Sequence, residues 1–228
     1  MNKVRLNSKP IKKDLPVKRF RTQAAWEKWL SANHEKSSGV WLELAKKNSG
    51  VPSVNYAEAL EVALCHGWID GQTASVDATW YRQRFTPRRA RSKWSQINRA
   101  AVEKLYAAGR LSPAGIREME AAQKDGRWEA AYPSSKNMTV PADLEAELEK
   151  SPRARRTFDQ LDRQNRFAIL YRLYDAKKPE TRQRRLEEFV RKLRAGESIL
   201  TSGRAGGRRG GEAEAEAEKV GTGSGERA

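Results

Sequence analysis

The chain has 228 residues and a formal net charge of +16, from 45 Lys and Arg against 29 Asp and Glu. This charge favours an anionic partner such as nucleic acid, a lipid headgroup or an acidic protein. One Cys and two His argue against a disulfide framework and a zinc site, and no apolar run has the about 20 residues that a transmembrane helix needs.

The first predicted elements alternate helix and strand. A helix begins after an N-cap at Thr22, and a strand over residues 40–45 places Val40, Leu42 and Leu44 on one face. Asn55 with Glu58 three residues later is a capping-box start for a second helix, which ends at Gly67. A β-hairpin follows, with strands over residues 68–75 and 79–86 joined at 76–78.

Helices dominate the rest of the chain. One opens near Ser92 and ends at Gly109, with its apolar side predicted to hold Trp94, Ile97, Ala101, Leu105 and Tyr106. The next has Ser112 as N-cap and Pro113 at its first position. Further helices start at residues 141, 151–152 and 179–180, with a possible break near Asn165.

These elements predict an α+β fold with a small antiparallel or mixed sheet, followed by an all-helical C-terminal module. We predict four parts: a flexible basic arm over residues 1–16, an α+β domain over 17–140, a helical module over 141–196, and a disordered tail over 197–228. The tail is rich in Gly, Glu and Ala and has no aromatic group to bury.

Several ordered phrases resemble the YdeI/OmpD-associated family, whose members are also described as bacteriocin-protection proteins. They are "AAWEKWL", "GVWLELAKK", "YAEALEVALCHGWIDGQ", "YRQRFTPRRARSKWSQIN", "AGR" followed by "DGRW", and "FDQLDRQNRFAILYRLYDAKKPETRQRRLEEFVRKL", and they span most of residues 18–196. The resemblance implies a link to tolerance of cationic peptides and outer-membrane protein association, and implies no reaction or cofactor. His66 stands where the family phrase has an aromatic residue.

Cys65, His66 and Asp70 form the first candidate cluster, within the phrase "CHGWIDGQ". A nucleophilic cysteine needs a lowered pKa, but Cys65 is predicted at a helix C-terminus, where the dipole disfavours a thiolate. Cys65 is therefore interpreted as a core residue, and no catalytic residue and no metal ligand is predicted. Asp70 is either a structural partner of arginines or part of a ligand site.

The stretch from residue 82 to 99 has seven Lys and Arg and no acid, with aromatic residues interleaved. Cations beside aromatic rings favour phosphate contact and stacking, and a helix start can add donors; the alternative is a solvated basic face. The candidate ligand-binding residues are Trp68, Asp70, Arg84, Arg88, Ser92, Trp94, Ser95 and Asn98.

Three functions follow as hypotheses. The first is a non-enzymatic, cytoplasmic, soluble stress-tolerance protein that binds an anionic ligand or an acidic surface. The second is a nucleic-acid-binding protein that uses the arm, the basic stretch and the C-terminal helices. The third is an enzyme of unspecified reaction with a pocket where Asp70, Arg84 and Ser95 converge. No cofactor is predicted, and the oligomeric state stays open.

Overall fold

The computed structural model describes residues 15–200. Its strands are β1 (Val17–Arg19), β2 (Val40–Ala45), β3 (Trp68–Ser75) and β4 (Trp80–Pro87). Its helices are α1 (Gln23–Asn33), α2 (Tyr56–Cys65), α3 (Gln96–Ala107), α4 (Pro113–Lys124), α5 (Ala142–Glu149), α6 (Pro152–Gln160), α7 (Arg163–Tyr174) and α8 (Pro179–Ala195). The predicted α+β class with a helical C-terminal part is confirmed.

The four strands form one mixed sheet in the order β1-β2-β4-β3, in which β1 is parallel to β2 and the other pairs are antiparallel. β1 was not predicted, because three residues next to Pro16 are too short to show an alternating pattern. The predicted hairpin of β3 and β4 is confirmed. Asp77 holds its turn, since Oδ1 accepts from the backbone N–H groups of Thr79 and Trp80, both at 2.8 Å.

One face of the sheet is packed under helices, as the alternation in β2 predicted. Val40, Leu42 and Leu44 are fully buried there, and Phe85 of β4, opposite Val40, is buried with them. Gln83 follows the same alternation and is 2% exposed. Its side-chain amide donates to the Gly71 carbonyl of β3 at 2.9 Å. This contact lies at the register irregularity between Asp70 and Thr73.

The predicted caps of three helices are present. Thr22 accepts from the Ala25 N–H, Asn55 and Glu58 form the capping box of α2, and Ser112 caps α4. α3 differs from its prediction because it begins at Gln96, with Ser95 as N-cap, so Ser92 lies in the loop before the helix. Tyr106 was assigned to the apolar side of this helix, which is wrong, because it is 53% exposed.

Two separate hydrophobic cores lie in the described part of the chain. The first surrounds the sheet and α1 to α4 and contains residues from Trp26 to Ala131. The second lies among α5 to α8 and contains residues from Leu144 to Ile199. The predicted domain boundary at residues 140 and 141 falls between these cores, but the boundary itself stays a prediction.

Asn165 joins the helical module to the residues after α8. The predicted helix is interrupted at Leu161, the C-cap of α6, and at Asp162, the N-cap of α7. Asn165 therefore lies inside α7. Its Oδ1 accepts from the N–H groups of Ile199 and Leu200 at 3.0 and 2.8 Å, and Ile199 is buried. Residues 197–200 of the predicted tail lie within the described part, and its start at 197 stays a prediction. Residues 201–228, like 1–14 of the arm, lie outside the described residues.

Candidate anion-binding site

Cys65 and His66 lie at the end of α2 and belong to the packed interior. Cys65 is 1% exposed, and burial raises the pKa of its thiol to about 11. His66 is the C-cap, and its Nε2 is 3.3 Å from the Ser31 hydroxyl. Burial and the neighbouring His34 ring lower the pKa of His66. The prediction that Cys65 is a core residue is confirmed.

The raised pKa of Cys65 predicts an unreactive thiol. At pH 8 a thiol with a pKa of about 11 has about 100-fold less thiolate than one at its usual value of 9.0. We expect an aromatic disulfide reagent to modify the folded protein at least about 100-fold more slowly than the protein in denaturant. Modification at similar rates in both states would contradict the buried position.

Asp70 and Arg84 lie on opposite faces of the sheet. Asp70 is opposite Phe85 in the register of β3 and β4, so both point to the helix-covered face, and Arg84 points to the other. Asp70 accepts a hydrogen bond from the Tyr56 hydroxyl at 2.8 Å. Trp68 is 1% exposed, and its indole N–H donates to the His34 carbonyl at 3.1 Å. The pocket in which Asp70, Arg84 and Ser95 converge is therefore not formed.

Several cations of the stretch from residue 82 to 99 are paired with carboxylates. Arg82 lies 3.4 Å from Glu43, Arg99 lies 3.6 Å from Glu103, and Lys93 pairs with Asp175. Arg84 makes a long hydrogen bond of 3.4 Å to the Gln72 side chain, and its buried Nε has no acceptor. The stretch is thus divided between neutralised and unneutralised cations.

Arg88 and Trp94 form the centre of the candidate site. Arg88 leaves β4 beside Gly67, whose carbonyl accepts its backbone N–H at 3.0 Å. Its guanidinium carbon lies 3.5 Å from the centroid of the Trp94 ring, a stacked cation–π geometry. Arg88 is 6% exposed and Trp94 is 2% exposed. Trp128 packs edge-on against Trp94, with ring centroids 4.8 Å apart, and so supports the ring on which Arg88 lies.

The charge of Arg88 has no carboxylate in ion-pair contact among residues 15–200. Its Nη1 donates to the Lys93 carbonyl at 3.3 Å, while Nε and Nη2 are buried without acceptors, as is Nε1 of Trp94. Burial lowers the pKa of Arg88 to about 10, against the opposing influence of Glu118 and Asp70. The group therefore stays charged at neutral pH, and these three N–H groups can donate hydrogen bonds to the oxygen atoms of a ligand.

Ser92, Ser95 and Asn98 shape the loop around this centre. The Ser92 hydroxyl accepts from the Arg89 N–H at 3.0 Å, and the Ser95 hydroxyl accepts from the Asn98 N–H at 3.1 Å. These oxygen atoms hold the turn and the helix start, which places Trp94 between them. Of the predicted residues, the structure brings together Arg88, Trp94 and this loop. Trp68 is buried in the core, Arg84 lies on the other face of the sheet, and Asp70 bonds to Tyr56 while its charge acts on Arg88.

Two residues of the site were missed from the sequence. Arg127 donates to the Ser92 carbonyl at 3.0 Å, and Trp128 packs on Trp94. Both belong to the phrase "DGRW", which is one of the phrases that carry the family resemblance. Their distance from Trp94 along the chain hid the contact, because periodicity reports only local neighbours.

The fold and site define an α+β protein with a helical module and a buried arginine that lies over a tryptophan ring. Residues 137–196 match the sequence model of the family described as "Bacteriocin-protection, YdeI or OmpD-Associated", and residues 18–118 match a domain of unknown function (DUF8412). Residues 137–196 thus match the family that the resemblance named, whereas the phrases within residues 18–118 lie in the domain of unknown function. No curated protein and no solved structure gave a match.

Two further findings concern residues 15–200 alone. None of the helices there combines the length and the apolar character needed to cross a membrane. No group of three or more His, Cys, Asp and Glu side chains in that range is arranged to hold a metal ion.

Proposed function

We propose that the protein is a non-enzymatic binding protein that holds a small oxyanion or carboxylate at Arg88 and Trp94. The observation that carries the proposal is the buried Arg88 guanidinium, which has two N–H positions without an acceptor among residues 15–200. Burying a charge that has no ion-pair partner costs several kcal/mol of folding free energy, because the charge loses its hydration. A bound anion removes this cost and is recognised through charge-assisted hydrogen bonds.

The proposed role is in tolerance of cationic peptides, acting from the cytoplasm. Its support is the description of the family matched by residues 137–196, which names bacteriocin protection. A chain with a net charge of +16 repels cationic peptides, so direct capture of such a peptide is disfavoured. We therefore propose that the protein contributes to tolerance indirectly, because it senses or sequesters an anionic ligand.

The test is a titration of the protein with inorganic phosphate, sulfate and citrate, followed by tryptophan fluorescence, since the site contains Trp94 and Trp128. The wild-type protein is expected to bind at least one of them saturably. The variant Arg88→Ala is expected to lose at least about tenfold in affinity, because hydrogen bonds to charged groups contribute about 1.5–3 kcal/mol. Circular dichroism checks that the variant is folded.

Arg89→Ala is the matched control, because its side chain is exposed in the same loop and removing it changes the net charge equally. It is expected to bind like wild type. No saturable binding of any of the three anions, or equal losses in both variants, would refute the site. For the role, cells lacking the gene and complemented with the Arg88→Ala variant should survive a cationic peptide no better than uncomplemented cells.

A further inference from the structure

α7 has an aromatic face that belongs to neither hydrophobic core. Ile169, Leu170 and Leu173 of this helix are buried in the core of the helical module. Phe167, Tyr171 and Tyr174 follow a different helical spacing, and none of them is part of either core. We call these three residues the α7 aromatic stripe.

The stripe continues to the sheet domain through Tyr132. The Tyr132 and Tyr171 rings meet edge-on at 4.8 Å, and the Phe167 and Tyr171 rings stack at 5.6 Å. Tyr174, at the C-terminal end of the stripe, is 40% exposed. The rings of Tyr132, Tyr171 and Phe167 therefore form a contacting row, and Tyr174, three positions after Tyr171 on α7, is exposed to solvent.

Three cations lie around the exposed Tyr174 end of α7. Lys93 reaches it from the loop before α3 and pairs with Asp175, directly after Tyr174. Lys177 lies over the Tyr174 ring, with Nζ 5.4 Å from its centroid. Arg185 of α8 donates to the Arg172 carbonyl at 2.6 Å, so its guanidinium lies against the same end of α7. Burial lowers the pKa of Lys93, and the nearby charges of Lys177 and Arg185 lower it further.

We propose that the α7 aromatic stripe, with Lys177 and Arg185, is a binding surface for single-stranded nucleic acid. Exposed aromatic rings provide stacking platforms for unpaired bases, and flanking cations contact the phosphates. A duplex has its bases stacked inside and offers only its phosphates to such a row, so single strands fit better. The tertiary structure thus joins the basic stretch and the C-terminal helices at one surface.

The experiment uses the full chain and fluorescein-labelled 20-mers of dT, of rU and of a mixed duplex, with affinity measured by fluorescence anisotropy at several salt concentrations. We expect wild-type protein to bind the single strands more tightly than the duplex at about 50 mM salt. Tyr174→Ala should weaken single-strand binding about tenfold, because it removes one stacking platform. Tyr174→Phe keeps the ring and should bind as wild type does.

Lys177→Gln/Arg185→Gln should reduce the slope of log K against log salt by about 1.4, since each phosphate contact with a single strand contributes about 0.7. The control pair Lys104→Gln/Lys124→Gln removes two exposed cations from α3 and α4 and should leave the slope close to that of wild type. Equal effects of the two pairs would show that net charge alone causes binding and would overturn the proposal.

The proposal is also overturned by the absence of binding at about 50 mM salt, by tighter binding of the duplex, or by an unchanged affinity in Tyr174→Ala. It stands apart from the proposed anion site, because Arg88→Met leaves the stripe, Lys177 and Arg185 in place. That variant should retain oligonucleotide binding. Failure of the small-anion titration therefore does not affect this surface, and failure here does not affect the anion site.

Discussion

Replacing Arg88 by methionine is expected to leave the free energy of unfolding within about 1 kcal/mol of the wild-type value, because the charge that is removed is itself unfavourable in the folded state. Burial lowers the pKa of Arg88 to about 10, which corresponds to a cost of about 3 kcal/mol for the charged form. Folding disfavours the charged form, so this cost is present at all pH values below about 10 and is lost as the pH rises above that value.

Favourable contacts of Arg88 offset most of that cost. Its stacking on Trp94 contributes about 2 kcal/mol, as a desolvated cation–π contact does. Its hydrogen bond to the Lys93 carbonyl contributes about 1 kcal/mol. Methionine fills much of the same volume without a charge, so the net change is small. An arginine held in a buried ion pair behaves differently, because removing one partner costs about 3–5 kcal/mol.

The measurement is urea denaturation at pH 7 with and without the anion that the titration identifies. An anion at 100 times its dissociation constant should stabilise the wild-type protein by about 2.7 kcal/mol and leave Arg88→Met unchanged. Arg89→Met, in an exposed neighbour, is the control and should respond as wild type does. A loss of more than about 3 kcal/mol in anion-free Arg88→Met would show that the arginine is structural.

Replacing Gly115 by alanine is expected to destabilise the protein by about 2–4 kcal/mol, the range of a severe steric insertion into a packed contact. Gly115 lies in the first turn of α4, against the end of α2. A Cβ there would overlap the Cys65 carbonyl oxygen and lie 3.0 Å from the carbonyl carbon. The same carbonyl accepts from the Ser112 N–H and hydroxyl at 3.0 and 2.8 Å, so α4 cannot move away without losing both bonds.

Gly109→Ala is the comparison for this prediction. Gly109 has a φ of +66° and nothing within 4 Å of an added Cβ, so alanine there meets only backbone strain of about 1–2 kcal/mol. Denaturant titration gives both values from the same transition. If Gly115→Ala is no less stable than Gly109→Ala, the close approach of α4 to α2 is not present in solution.

Local patterns were sufficient for most elements of the fold. The capping box at Asn55, the N-caps at Thr22 and Ser112, and the alternation in β2 were predicted because each depends on residues only a few positions apart. β1 was missed because its pairing with β2 is non-local. The start predicted for α3 near Ser92 was too early, because Ser95 is the N-cap and Trp94, just before it, packs into the core.

The sequence by itself determined the fold class, the resemblance to the YdeI/OmpD-associated family and the basic aromatic character of residues 82–99. Only the tertiary structure decided which of these cations are neutralised: Arg82 finds Glu43 across the sheet, and Lys93 finds Asp175 in the helical module. Arg88 is buried against Trp94, and no carboxylate of the described residues is in ion-pair contact with it. The physical reason is that charge pairing and burial depend on contacts between residues far apart in the chain, which composition and periodicity do not record.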